Sequence, residues 1–291
     1  MNPVLIQALS DARRTLEEKG IESARLESEL LLAHILGWER HQLYLNKDYV
    51  LTPGQIDAYK SLLERRAAGE PLQYITGVRY FMGLPFYVDS RVLIPRWETE
   101  LLTEYTISRA REKGRVSILD LCTGSGAIAV SLAVNLPDAE ITAADIEQGA
   151  LEVAKKNAEE NGVLSRISFY QGDLFAPLPP EKFKGYFDII VSNPPYVPTG
   201  EIGRLMTEVR DYEPISALDG GEDGLDFYRR IARDGWRYLK AGGFIALEIG
   251  YGQSNKIQDI FLKSGYYHRH ECHKDLAGIE RFVVFYKKQG E

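Results

Sequence analysis

Two cysteines, Cys122 and Cys272, are all that the 291 residues contain. That number excludes a disulfide framework and points to a reducing compartment. Long hydrophobic runs are also missing. The longest, such as Ile189-Ile190-Val191, are far too short to span a bilayer, so no membrane partner is expected. The N-terminus lacks the basic-then-apolar order of a signal peptide. Asp11, Glu17 and Glu18 break up its apolar stretches, and the expected location is the cytoplasm. A basic surplus is absent too, because the net charge is -7. A grip on long DNA or RNA rests on phosphate neutralisation, so direct nucleic-acid binding is not expected. What remains is an ordinary globular composition, 44% hydrophobic, at a length that suits about two domains.

The first 70 residues read as helical. Leu5, Leu9, Ala12 and Leu16 recur at helical spacing and Gly20 ends that run. Ser23 precedes a second helix carrying Leu26, Leu30, Ala33 and Leu36. Thr52-Pro53 opens a third, with Ile56, Tyr59, Leu62 and Leu63 on one face. The pattern predicts a small helix bundle. From Pro71 short aromatic and β-branched runs appear, Tyr80-Phe81-Met82-Gly83 and Phe86-Tyr87-Val88, followed by Val92-Leu93-Ile94-Pro95. They predict a β-hairpin linking two domains, residues 71–100.

From about residue 101 strands alternate with helices. Val116–Asp120, Glu140–Asp145, Ile167–Tyr170, Phe187–Val191 and Gly243–Glu248 read as buried strands, with helices at Ala127–Val134 and 148–161. Two more strands follow near 267–273 and 281–287. The alternation predicts parallel βαβ units with right-handed crossovers. The expected fold class is therefore α/β: a seven-stranded mixed sheet of Rossmann-like type over 101–291, with an N-terminal helical bundle.

Open α/β sheets bind ligands at the carboxyl ends of their strands. Here the first strand ends in Asp120-Leu121-Cys122-Thr123-Gly124-Ser125-Gly126-Ala127. Its glycines permit a tight turn and close backbone approach, and the following helix offers N–H donors. Asp145, ending the second strand, suits a ribose diol. Gly124-x-Gly126-x-x-Ala129 also fits the loose fingerprint of a nicotinamide dinucleotide site. Asp120 argues for another ligand. It would repel a pyrophosphate but attract the ammonium and sulfonium groups of S-adenosylmethionine. After the third strand, Asp173 offers an acceptor to an adenine amino group and Leu174 an apolar contact to its ring.

Ser192-Asn193-Pro194-Pro195-Tyr196 follows the fourth strand. The prolines fix the backbone, so the Asn193 side chain and the Pro194 carbonyl can act as two held acceptors for one NH₂ group. Tyr196 offers a flat face to a planar conjugated group. This suits an amide or an exocyclic base amine. Such nitrogens are poor nucleophiles, and two acceptors would fix one and favour the charge that develops on it. No strong general base is required before transfer.

With these residues in place the sequence resembles the bacterial peptide chain release factor glutamine methyltransferases. Pro71-Leu72-Gln73-Tyr74-Ile75-x-Gly77 and Phe81-x-Gly83 match that family's hairpin, and Val92 to Glu100 matches the start of its catalytic domain. Further matches are Asp120 to Ala129, Gly172 to Phe175, Asn193 to Tyr196, Gly220-Gly221-x-Asp223-Gly224-Leu225 and Glu248 to Gln253. Trp97 departs from the pattern, standing where the family usually has a second proline. The resemblance implies methylation of the amide nitrogen in the release factors' Gly-Gly-Gln motif, with S-adenosylmethionine as donor. The helix bundle of residues 1–70, which carries no cofactor motif, is expected to dock the protein substrate. The implied cofactor residues are Asp120, Cys122, Thr123, Gly124, Ser125, Gly126, Asp145, Asp173, Leu174 and Asn193. The implied catalytic residues are Asn193, Pro194 and Tyr196, and the implied substrate-binding residues are Asn193, Pro194, Pro195 and Tyr196. Asn-Pro-Pro-Tyr is shared with adenine-N6 and guanine-N2 methyltransferases, so methylation of nucleic acid is the runner-up.

Other clusters have plainer readings. His268, His270 and Cys272 would share a strand face but span roughly 13 Å, too far for one metal ion, so no metal site is expected. Glu208, Asp211, Glu213, Glu222, Asp223 and Asp226 read as a solvated acidic loop. Arg229, Arg230 and Arg233 read as the wet face of a helix. Glu98 and Glu100 suit structural hydrogen bonds better than a catalytic pair.

Overall fold

The computed structural model describes residues 3–289. They form two compact units. One runs to Val78 and also takes in Thr207–Tyr212; the other comprises Arg79–Met206 and the chain from Glu213 onward.

The first unit holds α1 (Leu5–Glu18), α2 (Ala24–Leu36), α3 (Arg40–Leu45), α4 (Pro53–Ala67) and α5 (Leu72–Thr76). Thr52 and Gln55 form a reciprocal capping box at the start of α4, with Pro53 in its first turn. Ser23, by contrast, makes no side-chain cap bond to α2. The buried face of α2 differs from the expected one. It carries Ser28, Glu29, Leu31, Leu32 and Ala33, while Leu26 is exposed. Glu29 is buried because it has partners. It accepts from Arg25 at 3.1 Å, Arg40 at 2.6 Å and Tyr44 at 2.5 Å, the last two supplied by the short α3. Arg66 of α4, likewise buried, pairs with Glu27 and with Glu208. A buried charge survives where it is paired and hydrogen-bonded.

The second unit opens with the hairpin β1 (Val78–Phe81) and β2 (Leu84–Tyr87), whose Phe81 and Phe86 meet edge to face. Then come α6 (Trp97–Lys113), β3 (Ser117–Leu121), α7 (Ala127–Asn135), β4 (Glu140–Asp145), α8 (Gln148–Glu160) and β5 (Ile167–Gln171). After α9 (Pro180–Phe183) and β6 (Phe187–Ser192), α10 (Thr207–Tyr212) belongs to the first unit. The chain ends with α11 (Asp226–Asp234), β7 (Leu239–Glu248), α12 (Ser254–Lys263), β8 (Tyr267–Lys274) and β9 (Glu280–Lys287). The seven-stranded sheet has the order β5-β4-β3-β6-β7-β9-β8. Its first five strands run parallel, β9 is antiparallel to β7, and β8 is antiparallel to β9. The mixed α/β sheet expected from the sequence is present.

Adjacent residues point to opposite faces, and both faces are covered. Ile118, Ile189 and Phe244 pack in one core, and Leu119, Ile190 and Ile245 in the other. Helix α6, not anticipated in the sequence, packs on β6, β7, β9 and α7. Trp97 takes its first helical position, where proline is also favoured. The departure at Trp97 therefore leaves the helix start intact, and its exposed ring lies beneath the Arg281 guanidinium at 5.5 Å.

Asn157 of α8 ties the hairpin to the loop after β3. Its Oδ1 accepts from Tyr87 N at 2.7 Å, and its Nδ2 donates to Tyr87 O at 3.0 Å and Ser125 O at 2.8 Å. Asn157 is fully buried. Asn157→Ala strands a buried N–H and two carbonyls, so it should destabilise the protein by about 2–4 kcal/mol. Urea unfolding of the two forms measures this, and an unchanged midpoint would contradict the role.

Candidate active site

The parallel register aligns the carboxyl ends of β5, β4, β3 and β6 along one edge. Leu121 is level with Ala144 and with Ser192, and Asp145 with Gln171. A cavity opens above these ends. It encloses about 1060 Å³ counted to its open mouth, ample for a nucleoside-sized ligand.

Cys122, Thr123, Gly124 and Ser125 line the cavity from the loop after β3. Cys122 is held at φ 57, and Leu174, after β5, at φ 50. Non-glycine residues in this region cost about 1–3 kcal/mol and cluster at functional sites. Burial and the nearby Asp145 push the Cys122 thiol above its usual range, so it serves as an apolar wall. Gly126 does not line the cavity; it caps α7 at φ 79. A Cβ there would meet Ala154 Cβ at 3.0 Å, so glycine lets α8 approach the loop.

Asp120 also lies behind the lining. It is fully buried, and its Oδ2 accepts from Thr123 Oγ1 at 2.6 Å and Ala129 N at 3.2 Å. Oδ1 has no hydrogen-bond partner among the described residues. Burial pushes its carboxyl up to about 7, against the two hydrogen bonds that lower it. Asp145 does line the cavity. Its Oδ2 accepts from Gly124 N at 2.8 Å and its Oδ1 from Glu147 N at 3.0 Å. It thus braces the loop after β3, and burial raises its pKa.

Asp173 and Leu174 line the cavity as expected, with an addition the sequence did not reveal. Arg230 of α11, anticipated on the wet face, reaches the cavity and pairs with Asp173 Oδ2 at 2.5 Å. Arg229 and Arg233 do stay exposed, paired with Asp223 and Asp234. The acidic stretch is less free than expected. Glu213 is buried beside Arg96, with a 2.7 Å ion pair. Among the described residues no group of three or more His, Cys, Asp or Glu side chains could hold a metal ion, and no helix is long and apolar enough to cross a membrane.

Asn193 and Pro195 line the cavity beside β6, whereas Pro194 and Tyr196 stand behind them. The segment is clamped through its backbone. Gln253 Nε2 donates to Tyr196 O at 3.0 Å, and Val197 exchanges backbone hydrogen bonds with Leu218 and Gly220. A Cβ on Gly220 would meet Tyr196 Cα at 2.8 Å and Pro195 O at 2.9 Å, so the loop can close only with glycine there.

Two further side chains complete the site. Asn193 Nδ2 donates to Thr99 Oγ1 at 3.2 Å, and Thr99 Oγ1 donates to Glu248 Oε2 at 2.6 Å. Tyr196 Oη donates to Glu248 Oε1 across a longer 3.4 Å. Glu248 is buried at the end of β7, and burial together with Glu98 pushes its carboxyl up to about 7. Of the two carboxylates singled out near Thr99, Glu98 pairs with Arg281 at 3.4 Å and Glu100 accepts from Met82 N at 2.7 Å. Both are structural, as expected.

Known proteins carry the same two parts. The chain matches the family described as "PrmC N-terminal domain" over residues 7–77 and that described as "Methyltransferase small domain" over residues 99–208. It is 44% identical over 279 residues to a release factor glutamine methyltransferase of Geobacter sulfurreducens, an alignment covering 95% of this chain and 94% of the relative. It is 41% identical over 285 residues to a release factor glutamine methyltransferase of Moorella thermoacetica, covering 98% and 99%. A solved methyltransferase from Pyrococcus furiosus superposes with a TM-score of 0.51 at 21% identity, over 71% of this chain and 90% of that one, a likeness of fold. The chain belongs to the release factor glutamine methyltransferase family, S-adenosylmethionine-dependent enzymes with a Rossmann-like catalytic sheet.

Proposed function

We propose that this enzyme methylates the side-chain amide nitrogen of the glutamine in the Gly-Gly-Gln motif of peptide chain release factors, in the cytoplasm, with residues 1–70 docking the protein substrate. The observation that carries the reading is Asn193 at the cavity wall, its side chain anchored on Thr99 beside a rigid di-proline. Bound S-adenosylmethionine supplies an electrophilic methyl group. Asp145 suits the ribose diol, and Asp173 and Leu174 the adenine. Cys122 to Gly126 form the loop against the methionine end. Asp120, buried behind the lining with its Oδ1 unpartnered among the described residues, lends negative charge that suits a cationic group such as the methionine ammonium.

On the acceptor side, Asn193 Oδ1 at the cavity wall takes one amide hydrogen, and the expected roles of the Pro194 carbonyl and the Tyr196 face require the substrate to reach past Pro195, which lines the cavity where they do not. As the new N–C bond formed and the donor's S–C bond broke, releasing a neutral thioether, the nitrogen would gain positive charge, which oxygen acceptors would favour. The proton leaves afterwards, when the methylated nitrogen has become acidic. Transfer of labelled methyl to purified release factor, set against duplex DNA and against release factor with that glutamine replaced by alanine, tests the reading. Label on the DNA, or on the alanine form, would overturn it.

Asn193→Ala removes one acceptor. We expect kcat to fall by about 10²–10³ with a smaller change in cofactor affinity. Single-turnover methylation checks this, and a wild-type rate for the chemical step would remove Asn193 from the acceptor site.

A second prediction concerns pH. Burial holds the Asp120 carboxyl near about 7 in the free protein. A bound ammonium favours the ionised form, so cofactor affinity should rise as pH increases through that value, with a proton released on binding near neutrality. Calorimetry in buffers of different ionisation enthalpy reads the proton release. Asp120→Asn should abolish it and weaken binding by about 1.5–3 kcal/mol. Equal affinity in both forms would refute the ammonium site.

A further inference from the structure

We infer that Glu248 is a positioning residue that acts through Thr99 to set the direction of the Asn193 amide, so that Asn193 turns its Oδ1 toward the acceptor nitrogen. The inference rests on the proposed reading of Asn193 as an acceptor of the substrate amide. The chain of contacts crosses three elements: Glu248 ends β7, Thr99 lies in the first turn of α6, and Asn193 follows β6.

The argument is one of donor counting. An ionised carboxylate can only accept. Thr99 has one hydroxyl proton, and at 2.6 Å it is given to Glu248 Oε2. Thr99 Oγ1 is then left with lone pairs, so the group it meets at 3.2 Å must be the NH₂ end of Asn193. Because the amide is planar, fixing Nδ2 fixes Oδ1 on the other side. The two ends of an asparagine amide are nearly the same size, and shape alone distinguishes them poorly. Reversed, Asn193 would present N–H groups to the NH₂ of the substrate, donor against donor. Thr99 is itself buried, which makes an unpaired alternative costly.

Protonation of Glu248 would add a donor at Thr99 and permit the reversed chain. The charged and titratable groups around it are Arg96 and Glu98 at the start of α6, Tyr196 after β6, Tyr228 of α11 and Arg281 of β9. Tyr228 Oη donates to the Glu248 carbonyl at 2.8 Å, and Arg281 acts through Glu98. Burial and Glu98 raise the Glu248 carboxyl to about 7, while Thr99, Tyr196 and Arg96 lower it. Productive Asn193 requires the ionised form, so kcat should rise with pH through that value and level off above it.

Steady-state methylation of purified release factor by the full-length wild type, Thr99→Ser, Thr99→Val and Glu248→Gln tests the chain, with cofactor affinity measured alongside. Thr99→Ser keeps the hydroxyl and should retain kcat within about threefold. Thr99→Val and Glu248→Gln should lose about 10-fold to 100-fold in kcat, the scale of a misplaced reacting group, with cofactor affinity little changed. Glu248→Gln should also flatten the rise of kcat with pH, which a merely structural residue would not do. Wild-type kcat in Thr99→Val, or an unaltered pH profile in Glu248→Gln, would overturn the inference. A second measurement needs neither turnover nor a variant: the side-chain ¹⁵N–¹H signals of Asn193 in the wild type. They should be protected from exchange at high pH and lose protection as Glu248 protonates; protection unaltered across that range would overturn the inference. If wild type fails to methylate release factor, the proposed substrate falls while these signals still decide the hydrogen-bond chain.

Discussion

The Ser192 hydroxyl donates to the Leu121 carbonyl at 2.7 Å, and this bond fastens the ends of β3 and β6 together. Two loops that line the cavity hang from that junction. One residue beyond it on β3 the chain enters the Cys122 to Gly126 turn; one residue beyond it on β6 it enters Asn193-Pro194-Pro195. The two loops differ in job, but the register of one strand pair places them side by side. A slip of one residue in a sheet turns every side chain to the opposite face. Ser192 resists that slip at the point where it would do most harm, because both strands are buried on both faces.

Rigidity around Tyr196 comes from backbone packing. Gly220 and Gly224 bring the loop before α11 against Tyr196, and Gln253 bridges the carbonyls of Tyr196 and Gly224. Side chains at those glycines would push the loop away and free the di-proline segment. The cofactor side uses the same device, with Gly126 letting α8 close on the loop after β3 and Asn157 of α8 holding Ser125 and the hairpin. Both halves of the site are thus held by helices whose own positions depend on the sheet. Such support keeps reacting groups in place without help from the ligand.

The strands and the ends that carry cavity-lining residues were legible because doubly buried parallel strands read as short continuous apolar runs. Helix α6 was not, and its composition explains why. Its buried face includes Thr99, Thr103 and Thr106, which hide the apolar periodicity. Thr103 and Thr106 satisfy their hydroxyls on the carbonyls one turn earlier, at 2.9 and 2.8 Å, and so tolerate burial. The buried face of α2 was misread for a related reason. Glu29 looks like a surface residue until Arg40 and Tyr44 arrive from α3. Arg230 looked like one of three arginines on a wet face, and only the fold brings it to Asp173. Glu248 was visible as a polar strand end and as the start of a segment matching the family. Its contact with Thr99 is one that no local pattern encodes. Thr103 and Thr106 are buried with local partners, whereas Glu29 and Glu248 find theirs further along the chain, and periodicity reports on apolar burial alone.

Asp120 and Glu248 lie near the carboxyl ends of β3 and β7, on either side of β6, and burial pushes both carboxyls up to about 7. Raised carboxyl values run against stability. Folding favours protonation between the usual carboxylate range and about 7, so this contribution is present at low pH and is lost as pH rises through the folded value. Near neutrality the protein therefore holds two buried groups that would be better solvated in the unfolded chain. Thr123 and Ala129 offset part of the cost for Asp120, and Thr99 and Tyr196 for Glu248. The remainder is removed by whatever favours the ionised forms. For Asp120 a cationic ligand nearby would do so, and would gain affinity from the same interaction, since a ligand selective for the folded state stabilises it. The poor solvation of the Asp120 carboxylate in the free protein would then be the source of its pull on a cation.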